Sequence, residues 1–297
     1  MNKRPLIPAS LVLVLGVTAA STASTFIRLA QADIPSLAVA AWRLTLASVI
    51  LAPVTLATCR AELRSLSRQE WLLALSGGLV LAIHFAAWIT SLAMTSVAAS
   101  VMLVATSPLF IGLITYAFFH EPVAPRLWGG MVLALVGSII IGLDDVGEGT
   151  HRLMGDLLAL VGALAAAAYF LIGRRLRTRL SLLAYIFPVY ATAAGVLMLV
   201  ALLSGVSLTG YGASTWGWLL LLALIPQIIG HSSLNWALRH LPVTYVSLSV
   251  LAEPIGSTLL AWWVLTEPPT WAAVGGGALI LAGLLIAGRP APPTAPS

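Results

Sequence analysis

Gln227, His231 and Asn235 recur at i, i+4 and i+8, so a helix there carries two amides and an imidazole along one face. His84, Trp88 and Ser91 make a similar stripe at i, i+4 and i+7. Such stripes can hydrogen-bond a small solute and set an aromatic wall against its apolar part. Equally, they can do no more than hydrogen-bond neighbouring helices. Glu253 puts a carboxyl group in an otherwise apolar run. That group has three uses: carrying a proton, binding a substrate ammonium, or pairing with His231 or Arg43. Tyr169, after the small-residue run ALAAAA at 163–168, and Trp236 join Trp88 as aromatic candidates. Ser21, Thr25 and Ser100 supply hydroxyls that suit helix packing as well as ligand contact.

These residues do not compose a catalytic centre. No His-x-x-x-His, Asp-rich or Gly-x-Ser-x-Gly pattern occurs. Cys59 is the single cysteine, which excludes an intrachain disulfide and a cysteine-based metal site. His84 and His231 would need further ligands to hold a metal. The expectation is a non-enzyme with no catalytic residues, no metal and no cofactor, whose partners are a small-molecule substrate and the lipid bilayer.

The elements that position these side chains follow from composition. The chain has 297 residues, 60% hydrophobic and only 8% charged, with a mean hydropathy of +1.01. Soluble chains carry about 25% charged residues, so water does not solvate most of this surface. Apolar runs long enough to cross a hydrocarbon layer of about 30 Å recur throughout. They predict an all-α integral membrane protein with ten transmembrane helices near 9–28, 35–58, 71–93, 97–119, 126–143, 154–174, 182–204, 214–238, 243–265 and 270–288. Nothing between them is long enough for a soluble domain, and the Pro-rich tail at 289–297 is expected to be disordered.

The net charge of +5 is distributed to orient the chain, with no nucleic-acid-binding pattern. With ten spans, twelve Lys and Arg residues share the face of the two termini, and only Arg28 and Arg152 fall on the other. The positive-inside rule then puts both termini in the cytoplasm. Arg43 falls inside a span and is read as structural or snorkelling.

One phrase is written twice. Pro108 and Glu121-Pro122 recur 146 residues later as Pro254 and Glu267-Pro268. At the same offset Gly16 matches Gly162, Arg28 matches Arg174, Leu92 matches Leu238 and Val97 matches Val243. Gly129-Gly130 matches Gly275-Gly276, and Gly137 matches Gly283. The halves are therefore 1–146 and 147–288, each with five spans. Five is odd, so the second copy enters the membrane from the opposite side: two inverted five-helix repeats, as secondary transporters use. The signal-peptide-like start, MNKRP before an apolar run, is needed as the first span of the first copy. The prolines predict kinks in the fourth and ninth spans. The Glu-Pro pairs predict structural helix stops, with Glu at the positive end of the next helix. The glycines of the fifth and tenth spans can join the halves or form a homodimer, leaving monomer and dimer open.

The doubled P-x12-E-P phrase, with the glycines GG-x6-G-x4-G at 129–142 and 275–288, resembles the EamA family of the drug/metabolite transporter superfamily. The resemblance implies export of small amphipathic metabolites by alternating access, neutral or aromatic amino acids first and drugs or other metabolites second. It also implies the bacterial inner membrane, and a central cavity lined by the first, third, fourth, sixth, eighth and ninth helices. Proton coupling through Glu253 is possible chemistry for such a carrier. A channel or membrane scaffold is the more distant alternative.

Overall fold

A computed structural model describes residues 8–119, 125–146, 150–241, 243, 246 and 249–288. Glu121-Pro122 and the 289–297 tail lie outside the described residues. Every described element is helical: α1 (Ala9–Ser21), α2 (Ala23–Gln31), α3 (Ser36–Thr58), α4 (Arg60–Arg64), α5 (Arg68–Ser91), α6 (Val97–Val104) and α7 (Ser107–Phe119). There follow α8 (Pro125–Val146), α9 (Thr150–Arg177), α10 (Leu182–Leu203), α11 (Ala213–Leu222), a π-helix (Ala223–His231), α12 (Ser232–Ala237), α13 (Ala252–Leu265) and α14 (Trp271–Gly288).

Among the described residues, seven helical stretches are long and apolar enough to cross a membrane: Ala9–Gln31, Ser36–Thr58, Arg68–Ser91, Val97–Phe118, His151–Arg177, Leu182–Leu203 and Ala213–Ala237. Trp128–Ile141 and Trp271–Gly283 are shorter apolar helices. Of the ten expected crossings, α8, α13 and α14 stand where the fifth, ninth and tenth belong. Leu15, Leu79, Val132, Leu202, Trp263 and Trp271 all point outward, an apolar surface far larger than a water-soluble monomer exposes.

The expected kinks are realised as breaks. α6 ends at Val104 and α7 restarts at Ser107, so Pro108 sits in a first turn, where its missing N–H costs nothing. Pro254 likewise sits in the first turn of α13. Thr22 interrupts the first span in the same way.

The two halves interlock. α8 packs on α14, α5 on α9, and α1 on the π-helix. A Cβ at Gly276 would stand 2.6 Å from the Gly137 carbonyl oxygen, and one at Gly283 would stand 2.5 Å from that of Gly130. Only glycine permits this approach. The pairing is crosswise: Gly130 meets the repeat mate of Gly137, and Gly137 meets the repeat mate of Gly130. As α8 advances from 130 to 137, its partner retreats from 283 to 276, so the two mates run antiparallel. The glycines thus join α8 to α14 within one chain.

A second exchange repeats the relation. Gly16 faces the Gly230 carbonyl and the Leu234 amide, and Gly162 faces the His84 carbonyl and the Trp88 amide. Positions 84 and 230, and 88 and 234, are again 146 apart. The first helix of each half therefore packs on the other half's third.

Arg28, Leu92, Val97 and Glu267, all repeat-matched in sequence, meet in one cluster. Arg28 donates to the Leu92 carbonyl at 2.7 Å and to Glu267 Oε2 at 2.9 Å. Glu267 Oε1 accepts from the Val97 amide at 2.7 Å. The Glu267-Pro268 pair predicts a carboxylate at the start of its own following helix. Instead it caps α6, because that helix's free amides and the Arg28 guanidinium converge on it.

Candidate functional site

A cavity lies between the halves. From α5 it takes Leu81, His84 and Trp88, which the i, i+3, i+7 spacing places on one stripe. From the broken fourth span come Val101, Val104, Ala105 and Ser107. Ala166, Tyr169 and Phe170 face it from α9, and His231 and Leu234 from the π-helix and α12. Val250, Glu253 and Pro254 complete the wall at the start of α13. Ser107 and Glu253 are repeat mates, so the two breaks deliver matching positions to one space. The volume open to the centres of water molecules is about 50 Å³.

The sequence candidates divide. His84, Trp88, Tyr169, His231 and Glu253 reach the cavity. Gln227 and Asn235 stand behind it. Gln227 Oε1 accepts from Arg43 Nε at 2.8 Å. Asn235 Nδ2 donates to the Tyr169 hydroxyl at 2.6 Å and to the His231 carbonyl at 2.8 Å. The expected single face of Gln227, His231 and Asn235 is split because residues 223–231 form a π-helix. A π-helix bonds i to i+5, so four residues fall short of a turn and His231 is rotated away from Gln227. Pro226, which has no N–H for the ladder, lies inside the widened segment.

The remaining candidates serve packing contacts. Ser91 and Ser100 bond each other at 2.6 Å. Ser21 donates to the Val17 carbonyl at 2.9 Å, and its own carbonyl accepts from Ser257 at 3.0 Å. Thr25 is buried, its hydroxyl unpartnered. Trp236 lies on a separate outer groove with Val12, Leu182 and Ile229. Its ring meets His240 at 4.2 Å. Burial, with Arg177 and Arg239 nearby, lowers the His240 pKa below its usual value.

Arg43 is more central than its sequence position suggested. It is fully buried, with its guanidinium carbon 4.3 Å from the Phe85 ring centroid and 5.9 Å from that of Trp88. Phe85 in turn meets His231 edge-on at 5.4 Å, and His84 stacks on Trp88 at 5.8 Å. Cation–π contact offsets about 0.5–2 kcal/mol of a charge whose insertion costs about 2.5–3.5 kcal/mol.

Sequence reasoning missed Phe85, Phe170, Tyr185 and Tyr190. The phenylalanines carry no signal beyond apolarity. The tyrosines, fully buried on α10, had one: a hydroxyl at mid-span needs a protein or water partner. Among the described residues no group of three or more His, Cys, Asp or Glu stands where it can hold a metal ion.

Known proteins share this plan. An uncharacterized transporter of Archaeoglobus fulgidus is 26% identical over 277 residues, 88% of this chain and 90% of its own. The uncharacterized transporter YdfC of Bacillus subtilis is 23% identical over 186 residues, which span 62% of this chain and 60% of YdfC. A solved crystal structure aligns over 94% of this chain and 96% of its own with a TM-score of 0.68 and 21% identity, a likeness of fold alone. The model of the EamA-like transporter family matches twice, at residues 7–143 and 153–289, and the second match begins and ends 146 residues after the first. With its apolar helices and this double match, the chain is a multi-pass membrane protein and belongs to the EamA-like transporter family.

Proposed function

We propose that this protein is a secondary carrier that exports small amphipathic solutes, neutral or aromatic amino acids first, across the bacterial inner membrane. The observation that carries the reading is the cavity between the halves, walled by repeat-related breaks at Ser107 and Glu253. The reading includes ten crossings, both termini in the cytoplasm and an inverted second half. The antiparallel, crosswise glycine pairs of α8 and α14 support the inversion. Two like halves of opposite direction can exchange conformations, turning a cavity open to one side into one open to the other.

The present cavity, at about 50 Å³, is narrower than an amino acid needs. Binding therefore requires the walls to part. The Arg28–Glu267 cluster ties α2, the α5–α6 link and the end of α13 together, which suits a closed outer end. Its sequence counterparts are Arg174, Leu238, Val243 and Glu121, the last outside the described residues.

Uptake of radiolabelled amino acids into inside-out vesicles tests the cargo. Saturable, concentrative or exchange flux is expected, and no such flux of any amino acid defeats the assignment. The apolar share of the wall, with Leu81, Val101, Val104, Phe170 and Leu234, favours a second reading, a drug or other metabolite exporter. Resistance to lipophilic cations with no amino-acid flux would select it.

A further inference from the structure

Four buried nitrogens near the cavity meet no acceptor at hydrogen-bond geometry: Arg43 Nη1 and Nη2, Trp88 Nε1 and Gln227 Nε2, the last with the Tyr190 hydroxyl close by. All are donors. They come from three side chains linked through Arg43, which bonds Gln227 and lies over Trp88, and Trp88 itself lines the cavity. A guanidinium in a membrane interior with two of its three nitrogens unpaired is costly, as is any buried donor left without an acceptor. A planar acceptor with two oxygens satisfies such a set, because a guanidinium fork matches a carboxylate. The charge opposite to that of Arg43 stands on the second half, where Glu253 faces the same cavity.

We infer that Arg43, Gln227 and Trp88 form a carboxylate-binding pole and Glu253 an ammonium-binding pole, so that the cavity selects zwitterionic α-amino acids. The inference relies on the carrier reading for the arrival of the solute, and on the unpartnered donors for its chemistry. It gives Arg43 a binding role where the sequence suggested a structural one. Arg43 and Trp88 belong to the first half and Glu253 to the second, so a bound zwitterion ties one half to the other through its two charged ends. A solute with one charge satisfies one pole and leaves the other buried and unpaired.

The test is a binding panel on the purified full chain, read by thermal stabilisation and by quenching of tryptophan fluorescence. The probes are alanine, leucine, phenylalanine and tryptophan, each beside its amide, its decarboxylated amine and its deaminated acid. At least one zwitterion is expected to bind about tenfold or more tighter than all three of its analogues. Arg43→Gln should erase the preference over the amine and the amide, and Glu253→Gln the preference over the acid. Trp88→Phe, which keeps the ring and removes one donor, should reduce the first preference only. Should Arg43→Gln fail to fold, the ratios of the unaltered protein decide alone. A single-charge analogue that binds as tightly as its zwitterion overturns the inference, as does a panel in which no zwitterion binds. Vesicle flux separates the two readings. Equal transport of amine and amino acid leaves the carrier standing and removes the zwitterion pole. Arg43-dependent binding without flux does the reverse.

Discussion

Gly137 lies against Gly276 in a backbone-to-backbone contact that no side chain could occupy. The two sit on different halves, and each faces the repeat mate of its own neighbour in the stripe. This contact makes one unit of the two halves at α8 and α14.

Gly137→Leu should therefore destabilise the protein by about 1–3 kcal/mol, the range for overpacking a close contact. Gly129 and Gly275 have open space where a Cβ would point. Their alanine variants should match or slightly exceed the unaltered protein, since alanine favours helix. Thermal unfolding in detergent measures both. Equal losses at 129 and 137 would show that the glycines are not read by contact.

With the proposed orientation, Arg28→Gln should open the outer end, since it removes the charge that bridges Leu92 and Glu267. Placing a cysteine at Val101 in a Cys59→Ser background allows the opening to be read. Labelling by a membrane-impermeant thiol reagent from outside should rise several-fold in Arg28→Gln, and likewise in Glu267→Gln. Because both residues share one cluster, the double variant should add little to either single change. Additive effects, or none, would dissociate the pair from closure.

Glu253 is the one carboxyl group lining the cavity among the described residues. If it exchanges protons with the solute, the flux of the unaltered protein varies with pH and that of Glu253→Gln does not. An identical pH profile in both proteins would remove the proton role.

Gln227→Leu should be among the most damaging single changes. It takes from a fully buried guanidinium the acceptor of its Nε hydrogen bond. Leaving a buried charge unpaired costs about 3–5 kcal/mol. Expression yield and the unfolding midpoint should both fall sharply. By contrast Tyr169→Phe removes one hydrogen bond to Asn235, which keeps the His231 carbonyl, and should cost about 1 kcal/mol. A mild Gln227→Leu and a severe Tyr169→Phe would reverse the ranking of these two contacts.

Much of the architecture was legible in the linear chain. Apolar length foretold the helices, because a hydrocarbon layer demands it whatever the neighbours. The 146-residue offset foretold which glycines and prolines have counterparts, and both proline positions do open helices. Five of the twelve site candidates line the cavity, since a polar side chain at depth must face protein or water.

What the tertiary structure alone decided were the partners. Nothing in the spacing of Gln227 and His231 announced a π-helix, whose wider turn sends one to Arg43 and the other to the cavity. Nothing at Glu267 announced that it would cap α6 from the far half. Nothing at Arg43 announced the aromatic rings above it. Burial and local period are properties of a segment and can be read along it. A hydrogen bond between residues 184 positions apart, such as that of Arg43 with Gln227, exists only once packing has brought two helices together.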